Sequence, residues 1–267
     1  MTRRSTAVLL LGIWAVAVAS PAAAQDMMRY IDLTSPDMTS AEMTRAQLEA
    51  VLAAATAEHP ADFTGKRLSG LDLSGLDLSG AVFRAARLNK TRLLGAKLDR
   101  AILDQAFLLE ADLRNASLKG ANIFAAQMQR SNLDAADLSG ARIAADLTGA
   151  SLVGTLLIGA NLGADMKNQS MGLMRAVLKS ANLQGCNARD ADLSRANLEF
   201  ASLKGADLTG ASLRGAALGG ADLSGATVVD TDFLGADLVS TKLIALVGLD
   251  AAKNLDKAEN LQRALRE

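Results

Sequence analysis

Between Phe63 and Leu243 the chain repeats an apolar residue every five positions with two interruptions of phase, and that period restricts its fold more than any other feature. Aligned on this residue, three runs appear, Phe63 to Ile143, Leu147 to Leu162 and Leu178 to Leu243, holding 17, 4 and 14 pentads. All 35 centres are apolar, Ala188 being the smallest. In 32 of them the residue two before the centre is Ala, Ser, Thr or Cys; Lys66, Leu71 and Leu76 are the exceptions. A helix would repeat its apolar residues near 3.6 and a half-buried strand at two. The two inward candidates of each pentad are two apart, which is strand spacing. The pattern therefore predicts a short extended piece and then a corner, repeated around a narrow interior where small and large side chains alternate and fill space. Glycine agrees: 17 of the 22 lie two after the centre, where a tight corner leaves little room.

Blocks such as Ala206-Asp207-Leu208-Thr209-Gly210, and the recurring Ala-Asn-Leu, resemble the pentapeptide-repeat family over about 185 residues. The resemblance implies an all-β solenoid, a right-handed quadrilateral β-helix with four pentads per coil; short α-helical caps at both ends are read from the flanking residues. About nine coils spaced ~4.8 Å apart would form a rod of roughly 45 Å. Each coil of a solenoid buries its core only against its neighbours, so both ends need covering. Residues 20 apart should then stack: Asp72, Arg92 and Asp112 in one column of alternating sign, Asp77 under Lys97, and Phe63 under Phe83. Arg67 under Arg87 is a like-charge exception.

Four segments follow. Residues 1–24 read as a secretory signal: Arg3 and Arg4, an apolar run from Ala7 to Ala19, and Ala22-Ala23-Ala24 as a cleavage site before Gln25. That run is shorter than the ~20 residues of a membrane span, so a periplasmic or secreted product starting at Gln25 is expected. Residues 25–60 form an N-terminal cap, with helix starts at Ser35-Pro36-Asp37 and Thr39-Ser40-Ala41-Glu42. Leu48, Val51, Leu52 and Ala55 give one apolar face to cover a first coil widened by Leu71 and Leu76. Residues 61–245 are the repeat, irregular at 144–177. Residues 246–267 are read as a second cap, a helix from Leu249 to Glu267 carrying Leu255, Leu261 and Leu265.

The chemical inventory is short. His59 is the single histidine and sits before Pro60 with no nucleophile evident nearby. Cys186 takes a small inward slot, as an inert buried thiol, and being alone it forms no internal disulfide. The Asp residues beside the centres lack the spacing of a calcium repeat and read as solvated or corner-bonding. No phosphate loop or zinc spacing is present. The reading is of no enzyme, no catalytic residue, no cofactor and no metal.

The phase slips by one between Ile143 and Leu147 and again after Leu162, and Leu178 restores it. Met166 and Met171 are candidate centres of displaced pentads, and the 35 residues from Ile143 to Leu178 keep the coil count whole. The segment from Gly163 to Val177 is read as a bulge or loop, with Lys167, Asn168, Gln169 and Arg175 as candidate partner contacts. Arg87, Arg92 and Lys97 join them, because the stretch from Lys66 to Arg100 carries eight bases against three acids, whereas 186–240 carries eight acids against four bases. Such polarity can orient a partner.

These features favour an extracytoplasmic interaction scaffold for an unidentified protein or envelope component, monomeric or dimeric end to end. An alternative implied by the resemblance is a DNA-mimicking inhibitor or protector of gyrase. The signal and the mature net charge of −3, from 26 bases and 29 acids, depart from that pattern. A third reading, a Cu(I) module built on Met27, Met28, Met38, Met43 and His59, has soft ligands but no recognisable spacing. Nucleic-acid binding is disfavoured, since Trp14 leaves with the signal and Tyr30 with six Phe make no stacking platform.

Overall fold

The computed structural model describes residues 32–166 and 174–266. Its repeat is a ladder of parallel bridges between residues one coil apart. Asp62 pairs with Val82, Arg67 with Arg87, Asp72 with Arg92 and Asp77 with Lys97, and these begin four columns that define four sides, A to D. The bridging residue always lies just before the apolar centre. Two hydrogen bonds tie each side to the next coil, as in Phe63 N–H to the Val82 carbonyl (2.7 Å) and Val82 N–H to the Ala61 carbonyl (2.9 Å).

Among the described residues no run of bridges lengthens into a strand, because five residues per side leave a single bridging residue between corners. Each corner closes with a bond such as Lys66 N–H to the Phe63 carbonyl (3.0 Å). The second corner residue has positive φ, as in a type II turn. Gly220 (φ 69°) suits this, but Lys90, Glu110, Arg130 and Phe200 adopt it as well. An Asp or Asn at the bridging position supports the corner by accepting an N–H two residues on, as Asp72 does from Ser74 at 3.0 Å and Asp207 from Thr209 at 3.0 Å. The acidic residues beside the centres are thus corner braces.

Inside, the centres and their small partners are almost wholly buried and form one continuous core cluster. Threonines in the small slots satisfy their hydroxyls on carbonyls of the preceding coil: Thr91 on Leu68 (3.0 Å), Thr155 on Leu133 (2.8 Å) and Thr241 on Leu218 (2.8 Å). Phe63 and Phe83 stack with centroids 5.1 Å apart, as the 20-residue spacing predicts. Arg67 and Arg87 do bridge. Their repulsion is relieved because Arg67 pairs with Asp37 (2.8 Å) and Glu42 (3.3 Å), while Arg87 donates to the Gly65 carbonyl (3.1 Å).

At the start, α1 spans Pro36–Thr39 and α2 spans Arg45–Ala54. The second helix does not begin at Thr39. Ser40 ends α1, Ala41 bridges to Leu68 in antiparallel sense, and Thr44 caps α2 reciprocally with Gln47. Leu48 is fully buried in the core cluster, and Val51, Leu52, Ala55, Leu71 and Leu76 pack against it. Arg45 fixes the helix to the first coil through the Asp72 carbonyl (3.1 Å) and the Ser74 carbonyl (3.3 Å).

The far end overturns an expectation. Among the described residues no α-helix covers 249–266; three 3-10 turns, Leu249–Ala251, Leu255–Lys257 and Leu261–Arg263, alternate with bridges at Lys253, Glu259 and Leu265. The period has lengthened from five to six, with Gly248, Asn254 and Asn260 in the left-handed corner position. Of the three leucines assigned to that helix, Leu255 and Leu261 pack instead against the core as part of a further coil, and Leu265 is exposed and bridges to Lys242.

The irregular stretch is two separate events. Arg142 to Asp146 spans four residues, since the corner keeps Ala144 but omits its left-handed residue, so Gln127 bridges to Asp146 at a spacing of 19. The next coil is 31 residues, Asp146 to Val177, because eleven extra residues enter between Asn161 and Val177. Met166 is half exposed and is no pentad centre; Met171 lies outside the described residues. The 35 residues from Ile143 to Leu178 supply five sides rather than seven.

Candidate functional site

The insertion leaves the rod at the corner between sides A and B. Gly163 N–H donates to Asn161 Oδ1 (3.1 Å) and Ala164 N–H to the Ser194 carbonyl (3.0 Å), so the ladder holds up to the departure point. A Cβ at Gly163 would lie 2.8 Å from the Asp192 carboxylate, which would have to turn aside to admit a larger residue. The two arms are joined by Asp165 N–H to the Met174 carbonyl (2.8 Å).

The base of the insertion is pinned downward by Arg142. Its guanidinium meets Asp165 Oδ2 at 2.9 Å and lies 4.5 Å from the centre of the Phe124 ring. Below, burial raises the Asp104 carboxyl above its usual range, against the opposing effects of the Phe124 N–H, Arg84 and Arg142. Asp104 Oδ1 is buried without a hydrogen bond. On the returning arm, Arg175 donates to the Arg195 carbonyl (2.9 Å), and its burial lowers its pKa against the pull of Glu199. Arg142, Ala144, Asn161, Gly163, Ala164, Asp165 and Met166 enclose a recess of about 400 Å³.

Of the candidate contacts, Lys167, Asn168 and Gln169 lie outside the described residues. Arg175 braces the insertion against the following coil. Arg87, Arg92 and Lys97 occupy sides B, C and D of one coil, so they form a girdle rather than a patch. Arg92 pairs with Asp72 (3.2 Å). The basic character of these coils is reduced by the cap, where Glu42 meets Lys66 (3.0 Å) and Asp37 meets Arg67.

Residues that the sequence reading passed over are apolar ones in outward positions. Val153, Leu156 and Ile158 are exposed around one side of a single coil, and Phe200 is exposed with its ring lying over Gly220 and Lys179 5.7 Å from its centre. Once the centres are aligned, pentad phase alone marks these positions as outward-facing. His59 is exposed, and burial raises the Cys186 thiol to about 12, which removes its nucleophilic form. Met38 is buried and Met43 packs on the core, so both serve as packing. Among the described residues no group of three or more His, Cys, Asp or Glu is placed to hold a metal ion, and no helix is long and apolar enough to cross a membrane.

The family model for pentapeptide repeats matches in eight copies, at 67–105, 91–126, 108–144, 173–210 and 206–243. The chain belongs to the pentapeptide-repeat family. Members fold as right-handed quadrilateral β-helices, and the described residues of this chain carry four columns of parallel bridges. The unmatched gap between 144 and 173 holds the short corner's end and the insertion. Among solved structures, HetL, a pentapeptide repeat protein involved in heterocyst differentiation regulation from the cyanobacterium Nostoc, is 29% identical over 84% of this chain and 95% of its own, with a TM-score of 0.43. QnrB1, a plasmid-mediated fluoroquinolone resistance protein, is 16% identical over 75% and 91%, with a TM-score of 0.41. A pentapeptide repeat protein of the Arabidopsis thaliana thylakoid lumen is 26% identical over 51% and 66%, with a TM-score of 0.19. No curated protein matches the sequence.

Proposed function

We propose that this pentapeptide-repeat protein is a non-enzymatic scaffold that acts outside the cytoplasm and holds a protein or envelope partner against the side of its rod. The observation that carries the reading is the insertion between Asn161 and Val177. It departs from a ladder whose register is intact on both sides, and its base is fixed by Arg142, Asp165 and Arg175. A solenoid spends its apolar residues on its interior, so its distinctive features must be on its surface. An eleven-residue departure from an otherwise five-residue side is the largest of these. The extracytoplasmic part of the reading rests on the signal-like residues 1–24, and the contacts assigned to the partner are Lys167, Asn168, Gln169 and Arg175, with Arg87, Arg92 and Lys97 on the basic coil.

Cell fractionation with intact-mass measurement tests the compartment. A periplasmic product beginning at Gln25 supports the reading and directs cross-linking toward envelope partners. A full-length cytoplasmic product overturns it and makes a gyrase supercoiling assay the next step. With a partner in hand, replacing Lys167, Gln169 and Arg175 together by alanine should abolish binding while leaving the unfolding midpoint nearly unchanged. Undiminished binding removes the insertion from the interface.

A further inference from the structure

In the ladder each bridging residue turns its own N–H and carbonyl toward the preceding coil, as Val82 does toward Ala61 and Phe63. The first coil has no coil before it, so these groups form an edge that something else must cover. The cap covers two sides. On side B the Arg67 carbonyl accepts the Glu42 N–H (2.9 Å), and on side C the Asp72 carbonyl accepts from Arg45 Nη1 (3.1 Å). On side A neither the N–H nor the carbonyl of Asp62 has a hydrogen bond among the described residues. A groove of about 430 Å³ lies beside it, lined by Ala50, Val51 and Ala54 of α2 and by His59, Pro60 and Ala61 of the chain leading into side A. Its far rim is a tied turn, with Thr56 N–H on the His59 carbonyl (2.9 Å) and His59 N–H on Thr56 Oγ1 (3.1 Å).

We infer that this edge is a docking site for an extended peptide segment of a partner, one that carries a basic residue beside an apolar one. Such a segment gives Asp62 what Ala61 and Phe63 give Val82, a carbonyl for its N–H and an N–H for its carbonyl. The same edge already accepts an extended piece of chain on side B, where Ala41 bridges to Leu68. Main-chain bonds of this kind supply affinity, and the neighbouring groove selects side chains. Ala50, Val51 and Ala54 receive the apolar one. Charge selects the basic one. The last turn of α2 carries no basic residue, so its carbonyl end is uncompensated. Bonds from Thr64 hold the Asp62 carboxyl below its usual range, and it faces the groove as an anion. Nothing in this site depends on the insertion between Asn161 and Val177.

A displayed library of random linear peptides, panned on the protein, is the probe. Ala54→Arg places a cation at an exposed position of the groove without touching the coils. Asp62→Asn removes the charge but keeps an oxygen for the Thr64 N–H. Retained peptides should carry Lys or Arg next to an apolar residue. Their affinity should fall about tenfold or more on Ala54→Arg and on N-methylation of the one peptide amide that pairs with Asp62, and several-fold on Asp62→Asn. Exchange of the Asp62 amide, followed by NMR, should slow about tenfold when a retained peptide is bound. A library that yields no peptide distinguishing the parent from Ala54→Arg would overturn the inference, as would acidic peptides or an Asp62 amide that they leave unprotected. Protection of that amide before any peptide is added would mean that the chain itself or a second copy pairs with this edge, and would also overturn it.

Discussion

The coils between Asp62 and Arg142 keep a strict spacing of 20, whereas the two that follow have 19 and 31 residues, yet the same four columns of bridges pass through both regions. The difference shows where the structural information lies. Inward residues are alike in the two regions: Leu133 and Leu157 are both fully buried, as are Ala136 and Ala160. Corners and outward positions are free to vary because their side chains point to water. A rod of this kind can lose one residue or gain eleven at a corner, provided the next small-and-large pair re-enters in phase.

The largest expected effect tests whether the two regions share one core. Leu133→Ala, in the regular region, and Leu157→Ala, in the irregular one, should each cost about 2–5 kcal/mol, as for other buried leucines. Leu156→Ala, adjacent in sequence but outward, should stay within about 0.5 kcal/mol. Urea unfolding of the three variants measures this. A much smaller loss at Leu157 than at Leu133 would break the equivalence and mark the irregular coils as a separate, looser unit.

How much of this was legible in the sequence follows from the same division. The centres and small slots could be read because burial admits few residue types, so the period is visible without any alignment. The columns Asp72–Arg92–Asp112 and Asp77–Lys97 followed from it. The C-terminal coil was misread because its period is six rather than five, and Leu261 and Leu265, four apart, have helical spacing. Sequence alone does not show that Asn254 and Asn260 adopt the left-handed corner that glycine holds elsewhere. The start of α2 was misplaced for a related reason: Thr39 and Thr44 both precede polar residues, and the antiparallel bridge of Ala41 to Leu68 decides between them. The recess lined by Leu33, Met38, Asn89 and Leu109 beside α1 was not legible because it depends on Leu109, an apolar residue out of phase with the centres.

A smaller effect concerns the corner braces. Burial works to raise the Asp222 carboxyl, but its bonds to Ser224 and the ammonium groups of Lys242 (3.2 Å) and Lys204 (3.4 Å) take it down to about 2. A carboxyl whose pKa is lower in the folded chain than its unfolded value near ~3.9 stabilises fully above that pH. The contribution is lost as pH falls from about 4 toward 2. Allowing for solvent screening, Asp222→Asn should cost about 1 kcal/mol at pH 7 and almost nothing near pH 2. Unfolding of the two proteins across this range checks the sign; a gap that widens in acid would refute it.

Smaller still is a contrast between two hydroxyls in neighbouring coils. Thr155, in the irregular region, donates to the Leu133 carbonyl, whereas Ser131, in the regular one, is buried with its hydroxyl unpaired. Ser131→Ala should therefore gain up to about 1 kcal/mol and Thr155→Ala should lose about 1 kcal/mol. Thermal unfolding that shows a loss in both would mean that the Ser131 hydroxyl has a partner.

The smallest expected change comes from the largest edit. Deleting residues 165–175 leaves Leu162-Gly163-Ala164-Ala176-Val177-Leu178, a regular pentad that restores the 20-residue coil between Asp146 and Val177. Shortening the connection from sixteen residues to five lowers its closure entropy by about 1 kcal/mol on the logarithmic scaling of loops. Against this stand the lost pair of Arg142 with Asp165, worth at most about 1 kcal/mol at a partly exposed site, and the bond of Arg175 to the Arg195 carbonyl. The two nearly cancel, so the deletion should leave the unfolding midpoint within a few degrees of the parent while abolishing any binding that depends on the insertion. If the deletion instead unfolds the rod, the insertion supplies packing that the coils need, and the division between an interior that specifies the fold and corners that are free to vary would fail at this corner.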